Sequence, residues 1–112
     1  MSATEVYNAI HGVKVGKSSM PVAHFAFKVG SAPKLPWCVY YLDEAEGTGA
    51  DNRNYAVKNH WVVEHYWIDY DPKVEQAIEQ AIEENFGSFS KIETWIESES
   101  CAQTLYRFAE FD

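Results

Sequence analysis

The sequence is poor in the features that mark a disulfide scaffold, a membrane protein or a secreted protein. Its 112 residues include only two cysteines, Cys38 and Cys101, which stand far apart and match no metal-ligand spacing. No apolar run approaches the roughly 18 residues of a membrane-spanning helix. The first residues lack the basic and apolar regions of a secretory signal. These absences predict a reducing compartment in which both thiols are free.

Positive charge is also scarce. Nine Lys and Arg residues stand against 17 Asp and Glu residues, for a net charge of −8. The shortage of basic residues is unevenly distributed along the chain, because residues 1–36 hold four lysines and only one acid, Glu5. An acidic body argues against wrapping nucleic acid, since phosphate contacts need clustered Lys and Arg. The asymmetry permits head-to-tail association of the basic part with the acidic remainder.

The composition that remains is that of one small soluble domain, residues 1–112. Apolar residues make up 46% of the chain and charged residues 23%, which excludes a disordered or fibrous protein. Aromatic residues, at 15%, are unusually frequent for a domain of this size. We expect some of the rings to lie at an interface, where Trp and Tyr are favoured.

Hydrophobic spacing predicts two helices and five strands in the order α-β-β-β-α-β-β. The first helix carries Val6, Ala9 and Ile10 at helical intervals, and the second starts at Asp71-Pro72 and ends at Gly87. Alternating or β-rich segments predict strands at residues 21–29, 36–42, 55–68, 90–98 and 103–111. Residues 14–20 are predicted to form a polar connection and residues 43–51 an exposed hairpin loop.

These elements predict an α+β fold with a mainly antiparallel sheet and both helices on one face, because short links join neighbouring strands. In the first strand, the odd positions Ala23, Phe25, Phe27 and Val29 are expected to face the core. The third strand would span about 46 Å, more than a small sheet needs, so we expect it to bulge, bend or project.

No catalytic, cofactor-binding or metal-binding site is predicted. His60 and His65 are five residues apart on a strand and therefore point to opposite faces. Cys38 lies in an apolar strand and Cys101 near acids, and both surroundings raise a thiol pKa. Paired Glu97 and Glu99 fall where a strand meets a loop, which favours a solvated turn over acid–base catalysis.

Two acidic features leave alternatives open. Glu64 lies among apolar residues of the third strand, either on an uncovered face or paired in an interface. Glu75, Glu79 and Glu83 recur every fourth residue of the second helix. They form either a solvated face, or a face that meets a basic partner or lines a passage where negative charge is useful.

The order of elements, together with several strings, resembles a family of phage proteins. The strings, in chain order, are Pro21-Val22-Ala23, Leu35-Pro36-Trp37-Cys38-Val39-Tyr40-Tyr41, Ala50-Asp51-Asn52 with Tyr55, Val62-Val63-Glu64-His65-Tyr66, Val74-Glu75-Gln76-Ala77-Ile78-Glu79 and Lys91-Ile92-Glu93-Thr94-Trp95-Ile96-Glu97-Ser98-Glu99. The family is the tail terminator or tail completion (head–tail joining) proteins of long-tailed bacteriophages and prophages. The chain departs from its pattern at His65, where an apolar residue is usual, and at Trp67, where a small polar one is usual.

The resemblance implies a structural role without catalysis. Family members assemble, commonly as a hexameric ring, on the tail-tube protein and meet the head connector, in the host bacterial cytoplasm and then at the head–tail junction of the virion; they can be monomers until they meet the tube. Neither sequence-specific nucleic-acid binding nor membrane binding is implied. We expect subunit or partner contacts at Asp51, Asn52, Glu64, Tyr66, Trp67, Trp95, Glu97 and Glu99. The alternative is a non-viral α+β module that binds or regulates a protein partner through its sheet.

Overall fold

In the computed structural model of the protein, which describes residues 3–50 and 53–111, two helices pack on one face of a five-stranded sheet. The helices are α1 (Ala3–His11) and α2 (Pro72–Phe86), and a single 3-10 turn spans Glu97–Glu99. The strands are β1 (Lys14–Val15), β2 (Ser18–Ser19), β3 (Val22–His24), β4 (Trp37–Ala50), β5 (Arg53–Trp67), β6 (Phe89–Ile96) and β7 (Cys101–Phe111). The predicted α+β class, with both helices on one face, is confirmed.

The main sheet has the strand order β3-β4-β5-β7-β6. Only β3 and β4 pair in parallel, and all the other neighbours are antiparallel. Short links join β4 to β5 and β6 to β7, whereas α2 and β6 lie between β5 and β7 in the chain, and the parallel pair is joined by residues 25–36. This order places β4, β5 and β7 in the interior of the sheet.

The second helix begins and ends where the sequence predicts. The Asp71 side chain accepts a hydrogen bond from the backbone N–H of Lys73 at 3.0 Å, and Pro72 occupies the first turn. At the other end, Gly87 has φ 101° and donates its N–H to the carbonyls of Ile82 and Glu83. A residue with a side chain is strained at this φ, which explains the glycine.

The hydrophobic core lies between the helices and the sheet. Val6 and Ile10 of α1 and Ile78 and Ile82 of α2 are fully buried. They pack in one cluster with β4, β5 and β7 residues that alternate onto the same sheet face: Cys38, Tyr40, Trp61, Val63, Tyr106 and Phe108. The remaining face of the sheet carries no helix.

The first predicted strand, residues 21–29, is wrong in length and in orientation. Only Val22–His24 forms β3, and Val22, not its odd-numbered neighbours, packs against the core. Phe25 takes a left-handed φ of 67°, which ends the strand, and it is 62% exposed. Val29 is fully exposed. Burial therefore follows the parallel register with β4, in which Val22 lies opposite the buried Cys38.

Two predicted connections are also wrong. Residues 14–20 contain a small antiparallel hairpin, β1–β2, that turns at Gly16. Residues 43–50, predicted as a loop, continue β4 and pair with β5 as far as Ala50, which lies opposite Arg53. Asp51 and Asn52 lie outside the described residues. The mutual hydrogen bonding of two long strands overrides the Gly- and Asp-rich composition of this segment.

The third predicted strand bulges as expected. The register between β4 and β5 shifts twice, leaving Asp43 unpaired in β4 and Tyr55 unpaired in β5. No helix in the described part of the chain is long and apolar enough to span a bilayer.

Candidate functional site

The sheet face that carries no helix displays a row of polar and aromatic side chains. By strand alternation, Glu64 and Tyr66 of β5 point to this face, and across the ladder they lie opposite Val39 and Trp37 of β4 and Leu105 and Gln103 of β7. We call this surface the uncovered face. It contains two of the residues that the sequence predicts at an interface.

Glu64 organises the uncovered face through two tyrosines. The Tyr41 hydroxyl donates to Glu64 Oε2 at 2.8 Å, and the Tyr66 hydroxyl donates to Oε1 at 2.7 Å. Gln103 Nε2 in turn donates to the Tyr66 hydroxyl oxygen at 2.9 Å. Burial, together with the bond to Glu64, raises the pKa of Tyr41 and that of Tyr66 to about 12. The carboxylate is thus held within the subunit, and the two tyrosines remain protonated at any physiological pH.

Aromatic rings border this network on the β4 side. Tyr66 contacts Trp37 at a ring-centroid distance of 4.7 Å, and Trp37 contacts Phe27 at 5.1 Å. Phe25 stacks on Tyr41 at 5.6 Å. A hollow of about 230 Å³ lies between the segment that carries Phe25 and Phe27 and the sheet. The exposed rings make this the most aromatic part of the uncovered face.

The other predicted interface residues lie apart from Glu64 and Tyr66. Trp67 points to the helix-covered side, where its indole N–H donates to the buried Thr104 hydroxyl at 2.9 Å. Trp95 lies on the edge strand β6, is 55% exposed and donates to Glu97 Oε2 at 2.8 Å. Glu97 and Glu99 are both exposed in the 3-10 turn, in agreement with the predicted solvated turn.

The distal halves of β4 and β5, residues 43–50 and 53–60, form a ribbon. It is two-stranded beyond Lys58, because β7 pairs with β5 only as far as that residue. Residues 43–47 are all exposed, and because successive side chains alternate, both faces of this half of β4 meet solvent. Beyond Tyr40, β4 has no strand partner other than β5 among the described residues. The ribbon therefore presents an open backbone edge together with the acids Asp43, Glu44 and Glu46.

A bulge at Asp43 turns Glu44 and Glu46 toward His60 on β5. The His60 ring Nε2–H donates a hydrogen bond to Glu46, and the possible ligand atoms of Glu44, Glu46 and His60 all lie within 4.8 Å of one another. Residue spacing in the sequence does not reveal this group, because its members come from two strands. All three side chains are partly or fully exposed, and the hydrogen bond alone accounts for their approach.

The acidic repeat on α2 is only partly a solvated face. Lys91 of β6 donates to Glu75 and also to Glu79, the latter at 2.7 Å, and the Tyr106 hydroxyl donates to Glu79 at 2.9 Å. Burial opposes the shift, but hydrogen bonds from Lys91 and Tyr70 lower the pKa of Glu75 below its usual range. The lysine fastens α2 to the edge strand, a role that helical spacing alone did not reveal.

His65 is the buried polar residue with the least satisfied side chain in the described part of the chain. It is 4% exposed, on the helix-covered side of β5, and neither ring nitrogen has a hydrogen-bond partner there. Burial lowers its pKa to about 4, despite the opposing charge of Glu75. An unsatisfied buried polar group costs about 1–3 kcal/mol, so a histidine in this position calls for an explanation.

A cavity of about 300 Å³ lies over His65. Its wall contains the aromatic residues Trp67 and Tyr70, whose ring centroids are 5.7 Å apart, and the carboxylates Asp69, Asp71 and Glu75. The apolar part of the wall is formed by Val15, Pro36 and Val74. We call this the His65 cavity. Local sequence patterns do not reveal this cavity, because its lining residues come from separate elements of the chain.

Neither cysteine is placed as a nucleophile. Cys38 and Cys101 are free and buried. Burial raises the pKa of the Cys38 thiol, and burial with the charge of Glu99 raises that of Cys101. Both thiols are therefore protonated packing groups at neutral pH, as the sequence predicts.

No protein-family model matches this chain, and a search of curated proteins finds no match either.

Proposed function

We propose that this protein is a structural assembly protein of long-tailed bacteriophages or prophages, which caps or completes the tail tube and joins it to the head connector. The observation that supports this most is the ribbon of β4 and β5. An isolated two-stranded ribbon is at best marginally stable in water. A ribbon whose β4 strand is exposed on both faces along residues 43–47, with an open edge, is suited to pairing or packing against another subunit.

The charges on the subunit indicate which two surfaces meet in the proposed contact. The ribbon carries three acids in the middle of β4, while the exposed Lys28 and Lys34 lie in the segment that enters β4 at Trp37. These acids follow Trp37 by six to nine residues of strand, a span of roughly 20–30 Å. Opposite charges separated along the subunit in this way suit a head-to-tail contact, which closes into a ring when the rotation between subunits permits.

The role itself is tested by electron microscopy of phage tails assembled without this protein. We expect tails of unregulated length, or tails that lack heads, because the growing tube has no terminator. Normal tails joined to heads would contradict the proposal. Supplying the wild-type protein in trans restores normal particles if the defect comes from its loss.

The direction of the contact is tested by charge reversal. We expect the double variant Glu44→Lys/Glu46→Lys to lose assembly on tail tubes, and Lys28→Glu/Lys34→Glu to restore it when the two variants are mixed. Sedimentation of tubes with bound protein measures both effects. Glu83→Lys, an equally exposed acid on α2, is the matched control and should assemble normally. Loss of assembly in the control, or failure of the mixture to recover, would refute the head-to-tail contact.

A second candidate is a non-viral module that binds a protein partner through its sheet. It is favoured by the aromatic hollow on the uncovered face, where Trp37, Tyr66 and Phe27 meet. Genome context separates the two candidates, since portal, connector and tail-tube genes beside this one favour the assembly role. A concentration-independent monomer mass does not separate them, because a terminator can assemble only on its tube.

A further inference from the structure

The His65 cavity combines three properties that define the chemistry of a ligand. Its base is an imidazole whose two nitrogens have no partner among the described residues. Its wall includes two aromatic rings, Trp67 and Tyr70. Its rim carries carboxylates, so the cavity is unfavourable for anions.

The three carboxylates of the cavity are not equivalent. Asp71 accepts the Lys73 N–H at the start of α2, and Glu75 is paired with Lys91. Asp69, by contrast, makes no hydrogen bond or ion pair within the described residues, and it is exposed. Of the three carboxylates, Asp69 is therefore the one that is available to form an ion pair with a ligand.

We propose that the His65 cavity binds a small organic cation, namely a primary ammonium or guanidinium group carried on a short apolar stem. The cationic group pairs with Asp69, lies against the rings of Trp67 and Tyr70, and donates a hydrogen bond to the neutral imidazole of His65. The stem occupies the apolar wall formed by Val15, Pro36 and Val74. A volume of about 300 Å³ admits such a group but not a folded chain segment.

Access to the imidazole needs a small rearrangement. The His65 nitrogens have almost no exposed area, so a ligand reaches them only when a lining side chain moves. Tyr70 is 61% exposed, and its ring can move when its hydroxyl bond to Glu75 breaks. The ligand is either a free amine or the Lys or Arg side chain of a protein partner, since both present the same cationic group. Binding at the cavity does not depend on the assembly role.

The proposal is tested by titrating the full-length, ¹⁵N-labelled protein with n-butylammonium and n-butylguanidinium, while following the His65 ring and the backbone amides around Asp69 by NMR. We expect saturable shifts confined to the cavity. The neutral analogue n-butanol should bind about tenfold more weakly, because it lacks the charge. Shifts of equal size and midpoint with n-butanol, or no saturable shift up to about 50 mM ligand, would overturn the proposal.

A matched variant and a second probe complete the test. Asp69→Asn keeps the shape of an exposed side chain and should weaken butylammonium binding about fivefold or more, whereas Glu83→Gln should not change it. Unchanged binding in Asp69→Asn refutes the site. Tighter binding of N-acetyl-lysine-N-methylamide than of butylammonium supports a protein side chain as the source, and weaker binding supports a free amine.

Discussion

On one side of β5, Trp61, Val63 and His65 lie against the helices and are at most 5% exposed; on the other, Glu64 and Tyr66 are half-buried in a hydrogen-bonded network. Successive side chains of this one strand point alternately to the two sides. The buried polar side chains on the helix-covered side are Asn59, His65 and Thr104, whereas the uncovered side carries the Glu64 network beside the buried Val39 and Val62. Most of the hydrophobic core therefore lies on one side of the sheet, and the hydrogen-bonded tyrosines lie on the other.

The sharpest test of this comparison uses two isoleucines. Ile78 of α2 is fully buried, whereas Ile92 on the uncovered side of β6 is 55% exposed. We expect Ile78→Ala to lower the free energy of unfolding by about 2–5 kcal/mol, because it removes buried methyl groups and leaves a cavity. Ile92→Ala should cost less than about 1 kcal/mol. Urea denaturation measures both, and equal losses would show that the uncovered side also belongs to the folding core.

The exception on the covered side, His65, makes stability depend on pH. The pKa of His65 is lowered to about 4 in the folded protein, against 6.5 for an ordinary histidine. Below pH 6.5 the unfolded chain gains a proton that the folded chain does not, so stability falls as the pH drops toward 4. The loss is about 3 kcal/mol in total.

Urea denaturation between pH 7 and pH 5 measures the first part of this loss, before most carboxylates titrate. His65→Leu should flatten the curve in that range. His24→Gln, which leaves His65 in place, should keep it. A wild-type curve that is flat from pH 7 to pH 5 would rule out a neutral, buried His65.

A smaller effect is expected on the uncovered side, at Glu64. Glu64→Gln removes the carboxylate whose two oxygens accept hydrogen bonds from the Tyr41 and Tyr66 hydroxyls. We expect the substitution to lower the free energy of unfolding by about 1 kcal/mol. Burial, the larger cause of the raised pKa, remains, but the pKa of Tyr41 and that of Tyr66 should fall below about 12, since the carboxylate no longer favours the protonated phenols. Ultraviolet titration of tyrosinate measures this. Unchanged tyrosine ionisation would mean that the network does not form in solution.

Local signals in the sequence predicted the elements whose causes are local. Helix α2 is set by the Asp71 cap, by Pro72 and by Gly87, all of which act within one turn of the chain. Strands β6 and β7, and the core part of β4, follow from short-range hydrophobic patterns. The bulge in β5 was expected from length alone, since a strand of that reach seldom stays regular.

The predictions that were wrong concern segments whose structure depends on residues far away in the chain. Phe25 is apolar yet exposed, because β3 stops after three residues and the ring stacks on Tyr41. Residues 43–50 are rich in acids and glycine yet form a strand, because β5 supplies the hydrogen bonds. Of the predicted interface residues, Glu64 and Tyr66 lie together, whereas Trp67 turns to the covered side and Trp95 lies at the sheet edge.

The amino-acid sequence by itself determined the α+β class, the two helices, the ends of α2 and the unreactive cysteines. These depend on side-chain periodicity, on composition and on contacts within a few residues. Only the tertiary structure decided the parallel placement of β3, the clamp of Lys91 on two glutamates and the His65 cavity. Each of these joins residues far apart in the chain, and the free energy that selects such contacts arises from burial and pairing between elements, which no local pattern contains.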